Sequence, residues 1–127
     1  MDLTWQKTDR IRKSRDFRII QKRGSKIKSR DFLFIFLPHY RISKATINGP
    51  KFGLVVSKKV GNAVSRNLVK RRLREACREH KAILNRHLYV VIIAFSSALQ
   101  RSQQEVGTQV LKVLTQLNTA DSKQRKQ

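Results

Sequence analysis

Between residues 58 and 81 the chain reads KKVGNAVSRNLVKRRLREACREHK. Guanidinium groups fork onto phosphate oxygens and stack on bases, so this density of Arg and Lys is chemistry for holding a polyanion. It is not chemistry for cleaving one. A metal-dependent hydrolase needs clustered carboxylates to hold its ions. No Asp or Glu lies between Asp31 and Glu75, and Asp9, Asp16, Glu79 and Glu105 are scattered. The three histidines, His39, His80 and His87, fall in a loop, at a helix end and before a strand, with no pairing indicated. They are read as surface residues, and no catalytic residue is assigned.

The 58–81 stretch divides cleanly when wound as a helix. At about 100° per residue, Val69, Leu73, Ala76 and Cys77 share one arc, which is the expected core face. Asn67, Lys70, Arg71, Arg74, Arg78 and Lys81 share the opposite arc. Cys77 then reads as a small buried hydrophobe. Gly61 makes the strand-to-helix turn and Asn62 is the expected N-cap. Like charges at i,i+4, such as Lys70–Arg74 and Arg74–Arg78, cost helix stability. A face that keeps them, with only Glu75 and Glu79 to offset it, is a face for an anionic partner, RNA before DNA.

Other elements must position this helix. Residues 14–24 form a short amphipathic helix, with Ser14 as candidate N-cap, Asp16 in the first turn and Gly24 as the C-terminal stop. Residues 32–37 are apolar at every position. Phe32, Phe34 and Phe36 point to one side and Leu33, Ile35 and Leu37 to the other. Such a strand is covered on both faces, or offers one face to unstacked bases. Residues 39–50 form a loop closed by Asn48-Gly49-Pro50. Residues 52–57 form a second strand, expected to return antiparallel to the first as a long-looped hairpin. Residues 88–95 form a third, central strand. A closing helix over 102–117 carries Val106, Val110, Val113, Leu114 and Leu117 as one stripe, whose expected partner is the sheet.

The 127 residues suffice for one domain, expected over 1–118, with residues 1–13 as a basic arm and 119–127 as a disordered basic tail. Lys and Arg number 29 against 8 acids, a net charge of +21, which narrows the partners to nucleic acid, an anionic membrane or an acidic protein. A single cysteine excludes an internal disulfide. No apolar run is long enough to cross a bilayer, and no secretory signal opens the chain. A cytoplasmic location is expected.

At the basic helix the chain resembles the protein subunit of bacterial ribonuclease P. Lys58, Lys59, Gly61, Arg66, Asn67, Lys70, Arg71 and Arg74 match that family's signature. Leu68 departs from it, standing where the family has the second Arg of an Arg-Asn-Arg triplet. By angle it lies beside Val64, so an exposed apolar spot is expected. Residues 10–24, Arg30-Asp31-Phe32, residues 88–98 and the closing helix extend the resemblance to roughly residues 10–117.

The resemblance implies an α+β fold: a two-layer α/β sandwich with a mostly antiparallel sheet, about three helices and a left-handed βαβ crossover that contains the basic helix. It implies that Lys58, Lys59, Arg66, Asn67, Lys70, Arg71, Arg74 and Arg78 bind the catalytic RNA. It implies that the 5′ leader of precursor tRNA lies between the first helix and the sheet, here against Phe17, Arg18, Phe32, Phe34 and Phe36. The first helix of the family usually carries a second aromatic where this chain has Gln21. The RNA would hydrolyse the phosphodiester with magnesium ions (Mg2+), none held tightly by the protein and with no obligatory protein partner. The rival reading is a ribosomal or RNA-chaperone protein. A membrane-surface role lacks large apolar residues facing lipid, and a DNA reader lacks a helix-turn-helix pair.

Overall fold

The structure, a computed structural model, describes residues 10–42 and 49–124, with side chains through residue 119. In chain order the elements are α1 (Ser14–Arg23), β1 (Ser25–Lys28), β2 (Phe32–Pro38), β3 (Lys51–Val55), α2 (Ala63–His80), β4 (Leu88–Ala94) and α3 (Gln103–Gln124). Single 3-10 turns follow β2, α2 and β4. The sheet order is β1-β2-β4-β3. β1–β2 and β2–β4 are antiparallel, and β3–β4 is parallel.

β4 is an inner strand, paired with β2 and β3, as its run of β-branched residues predicts. The expected β2–β3 hairpin does not form. β3 instead lies at the far edge, parallel to β4, and α2 carries the chain over the sheet between them. The reason is length. Parallel neighbours need a crossover of a dozen residues or more, and α2 supplies it. β1 fills the other edge, a short strand that alternating Lys26, Ile27 and Lys28 builds against β2.

Register assigns the two sheet faces. Phe34 lies opposite Ile92 and Phe36 opposite Val90, and these residues join Phe32, Phe52 and the apolar stripes of α2 and α3 in one core. The α3 stripe Val106, Val110, Val113, Leu114 and Leu117 is fully buried there, against α2 as well as the sheet. Burying one such side chain contributes about 1.5–3 kcal/mol, so the four core phenylalanines anchor this layer. The opposite face carries Leu33, Ile35, Leu37, Tyr89, Val91 and Ile93, and α1 crosses it with Ile20 and Phe17.

Helix ends follow local chemistry, with two corrections. At α1, Lys13 rather than Ser14 holds the cap position and gives no side-chain bond. Gly24 leaves the helix extended, not left-handed; a Cβ there would sit 2.6 Å from the Ile20 carbonyl oxygen. At α3, Ser102 and Glu105 form a reciprocal capping box, each side chain bonding the other's backbone N–H at 3.1 and 2.9 Å. α3 runs on to Gln124, past the boundary at 119 where a disordered tail is expected. Residues 125–127 and most of the 1–13 arm lie outside the described residues. The end of that arm is fixed: Ile11 is buried and its N–H bonds the Phe52 carbonyl at 2.9 Å.

A buried carboxylate ties the layers together. Asp31, fully buried, accepts from the Ser97 hydroxyl at 2.6 Å, Arg101 Nε at 2.8 Å and Gln109 Nε2 at 2.6 Å. Gln109 Oε1 in turn accepts from the Ser29 hydroxyl and the Asp31 N–H. Burial alone pushes this carboxyl up, but hydrogen bonds from Ser97, Gln109 and Arg101 outweigh it and hold it below the ordinary carboxylate value. A depressed carboxyl stabilises the fold above its unfolded value of about 3.9, and that contribution is lost as pH falls through the lower folded value. Replacing Asp31 with Ala leaves Arg101 without its carboxylate and is expected to cost about 3 kcal/mol in urea denaturation at neutral pH. The variant should also lose stability less steeply than the parent between about pH 5 and pH 2.

Candidate nucleic-acid interface

The turn from β3 into α2 is built by its own backbone. The Val60 N–H bonds the Ser57 carbonyl at 3.1 Å and the Gly61 N–H bonds the Lys58 carbonyl at 3.2 Å. Val56 and Val60 point inward, which leaves Lys58 and Lys59 exposed at the tip. Gly61 has φ of +154°, a conformation that side chains rarely adopt, and a Cβ would lie 2.9 Å from Ser65 Cβ. Asn62 caps α2 as expected, its side-chain oxygen accepting the Ser65 N–H at 2.9 Å. No acidic residue occupies the first turn, so the positive end of the helix adds to Lys58 and Lys59.

Along α2 the angular division holds. Val69, Leu73, Ala76 and Cys77 are buried. Burial pushes the Cys77 thiol up, which leaves it a protonated, inert core group. Asn67, Arg71 and Arg74 are exposed, while Arg66, Lys70, Arg78 and Lys81 are half-buried. Two of these are not plain solvent charges. Arg78 pairs with Glu75 one turn back, a hydrogen bond that raises Arg78 and lowers Glu75. Arg66 has its Nε shielded from solvent and without a hydrogen-bond partner. Arg72 turns away from this face and bonds the carbonyl oxygens of Leu99 and Arg101 at 3.2 and 2.8 Å. Val64 is 78% exposed beside half-buried Leu68, so the apolar spot is present.

The expected leader-side set does not assemble. Phe32, Phe34 and Phe36 are buried at 0%, 0% and 1% exposure under α2 and α3, on the face opposite α1. They are core, and cannot stack on bases. β2 is apolar on both sides, and the two long helices claim the phenylalanine side. Phe17 lies on the other face, half-buried, its ring so close over Gly53 that a Cβ there would sit 2.4 Å away. Arg18 is exposed on the other flank of α1, in a hollow with Arg41 and Ile42.

Sequence reasoning missed a row of residues on the α1 side of the sheet. Lys28, Leu33, Ile93 and Val55 are successive register partners across all four strands. The three apolar members are half-buried and lie on the α1 side, at the end of the sheet where β3 leads to Lys58. Lys28 Nζ also sits 5.7 Å from the centre of the Phe95 ring. Alternation in β2 could have found Leu33, but only pairing partners could have found the row.

The histidines are not surface residues throughout. His39 is buried and packs on Tyr89 at 4.4 Å, while His87 Nδ1 accepts the Gly49 N–H at 2.8 Å. His80 approaches Glu79 at 3.4 Å, on another element. Among the described residues, no three of His, Cys, Asp and Glu converge as a metal site. Among them, too, no helix is long and apolar enough to cross a membrane.

A helix face dominated by Arg and Lys on one side of the sheet, with a half-open apolar row on the other, suits an RNA-binding protein, and comparison with known proteins gives it a family. The family model described as Ribonuclease P matches residues 5–118. This chain belongs to the ribonuclease P protein family. The ribonuclease P protein component of Exiguobacterium sibiricum is 40% identical over 98 residues, covering 77% of this chain and 80% of that one. That of Rhodococcus erythropolis is 34% identical, covering 86% and 88%. The ribonuclease P protein of Staphylococcus aureus superposes with a TM-score of 0.72 at 31% identity, covering 84% of this chain and 92% of the other. That of Thermotoga maritima gives 0.71 at 27% identity, covering 84% and 96%.

The i,i+4 repulsion on α2 makes a two-signed prediction. Changing Lys70 and Arg74 together to Gln should stabilise the free protein by about 0.2–0.5 kcal/mol. The same change should weaken RNA binding and lower the salt slope of that binding. Thermal melts and filter binding at several salt concentrations read the two effects.

Proposed function

We propose that this chain is the accessory subunit of a ribonucleoprotein endonuclease, in which it binds the catalytic RNA and the 5′ leader of precursor tRNA. The single-sign face of α2, continuous with Lys58 and Lys59, carries this reading. Lys58, Lys59, Arg66, Asn67, Lys70, Arg71 and Arg74 contact the catalytic RNA, with Arg78 available once it exchanges Glu75 for phosphate. The leader lies against Phe17 and the row of Leu33, Val55 and Ile93, with Lys28 toward its backbone.

The chain's role is to bind and orient. Its guanidinium and ammonium groups offset phosphate repulsion between the two RNAs, which lets them associate at lower magnesium. Magnesium ions supply the water activation and charge stabilisation of the hydrolysis. Among the described residues no cluster of ligands fits a protein-held ion, and two carboxylates are already engaged, Asp31 by three side-chain donors and Glu75 by Arg78. In this proposal the ions and the bond-breaking step belong to the RNA.

Adding the protein to a bacterial ribonuclease P RNA and precursor tRNA at low magnesium should increase removal of the leader. No gain would contradict the proposal. In the assembled enzyme, Phe17→Ala should weaken precursor binding by one stacking contact, about 1–3 kcal/mol or roughly fivefold to a hundredfold. Mature tRNA, which lacks the leader, should bind as before.

A further inference from the structure

The flank of α1 away from Phe17 carries a groove of which the leader reading uses only Arg18. Two hollows of about 320 and 520 Å³ adjoin there, sharing Arg15 and Ile42 in their walls. The first carries Arg10 and Lys13, with Asp16 as its one acid. The second carries Arg18, Lys22, Arg23 and Arg41, with Ile19 in its wall and no acid at all. None of Arg15, Arg18, Lys22, Arg23 and Arg41 is ion-paired among the described residues. α1 spans about 15 Å, so this is a track of cations and not a cup for one phosphate.

We infer that this track holds the phosphates of the distal, upstream part of the 5′ leader, after the strand has passed Phe17 and crossed over α1. The inference rests on the leader reading given above. Three observations favour the leader over the catalytic RNA as occupant. The track lies on α1, the element that carries Phe17. It lies on the opposite face of the sheet from α2 and its basic face. α1 is only about 10–12 Å across, so a few nucleotides take a strand from one flank to the other. The cations run along a groove with no aromatic opposite Arg18 or Lys22, which suits backbone contact without base preference.

The test compares precursors with a leader of about 4 and about 16 nucleotides, bound to the assembled enzyme. Lys22→Gln and Arg41→Gln are made together; both residues are exposed and stand on opposite elements of the groove. The double variant should weaken the long-leader precursor about tenfold and lower its salt slope by about 1.4, two single-strand phosphate contacts. The short-leader precursor should lose little. Equal loss with both leaders, no loss with either, or weaker binding of the catalytic RNA alone would overturn the inference. Phe17→Ala serves as the separate control. If it weakens neither precursor, the cleft reading fails, whatever the double variant does.

Discussion

The position of α2 and its basic face depends on one buried carboxylate. Asp31 sits in the β1–β2 turn, yet its partners come from the segment after β4 and from α3. Arg101, which it holds, offers its carbonyl to Arg72 of α2, and the Arg72 carbonyl receives Gln103 of α3. Sheet edge, closing helix and crossover helix are thereby fixed to one another by charge-assisted bonds. That matters because α2 is a helix under self-repulsion. Its core stripe is narrow and two of its four buried residues are small, so packing alone gives it limited hold. The polar tether keeps the basic face aimed outward.

The sheet divides the work between its faces. One is closed by α2 and α3 over the phenylalanines and serves stability. The other is crossed by a single short helix, which leaves a row of half-buried aliphatic groups and a flank of cations. Gln21, one of the two departures from the family pattern, is exposed on α1; Leu68, the other, is half-buried on α2.

Much of this was legible in the sequence where the signal is local. The α2 face, its Asn62 cap, the Gly61 turn and the buried stripe of α3 all follow from helical period and cap chemistry. The inner place of β4 follows from its composition. What failed was non-local. A strand that is apolar on both sides does not say which side a cleft will use, so Phe32, Phe34 and Phe36 were assigned to the wrong face. Adjacent strands joined by a loop suggest a hairpin, whereas β3 lies parallel to β4 with α2 as the crossover between them. The Asp31 network could not be read at all. Its partners lie 66 to 78 residues away, and only the fold brings them together.

The central claim is that the α2 face and the Lys58–Lys59 turn are the surface on which the catalytic RNA sits. Photo-crosslinking of the protein–RNA complex, with the linked residues identified by mass spectrometry, tests it most directly. Crosslinks should fall on Lys58, Lys59, Asn67, Lys70, Arg71 and Arg74, and should vanish in the presence of competing RNA. Crosslinks confined to the outer side of α3, around Gln104, Thr108 and Lys112, with none on α2, would contradict it.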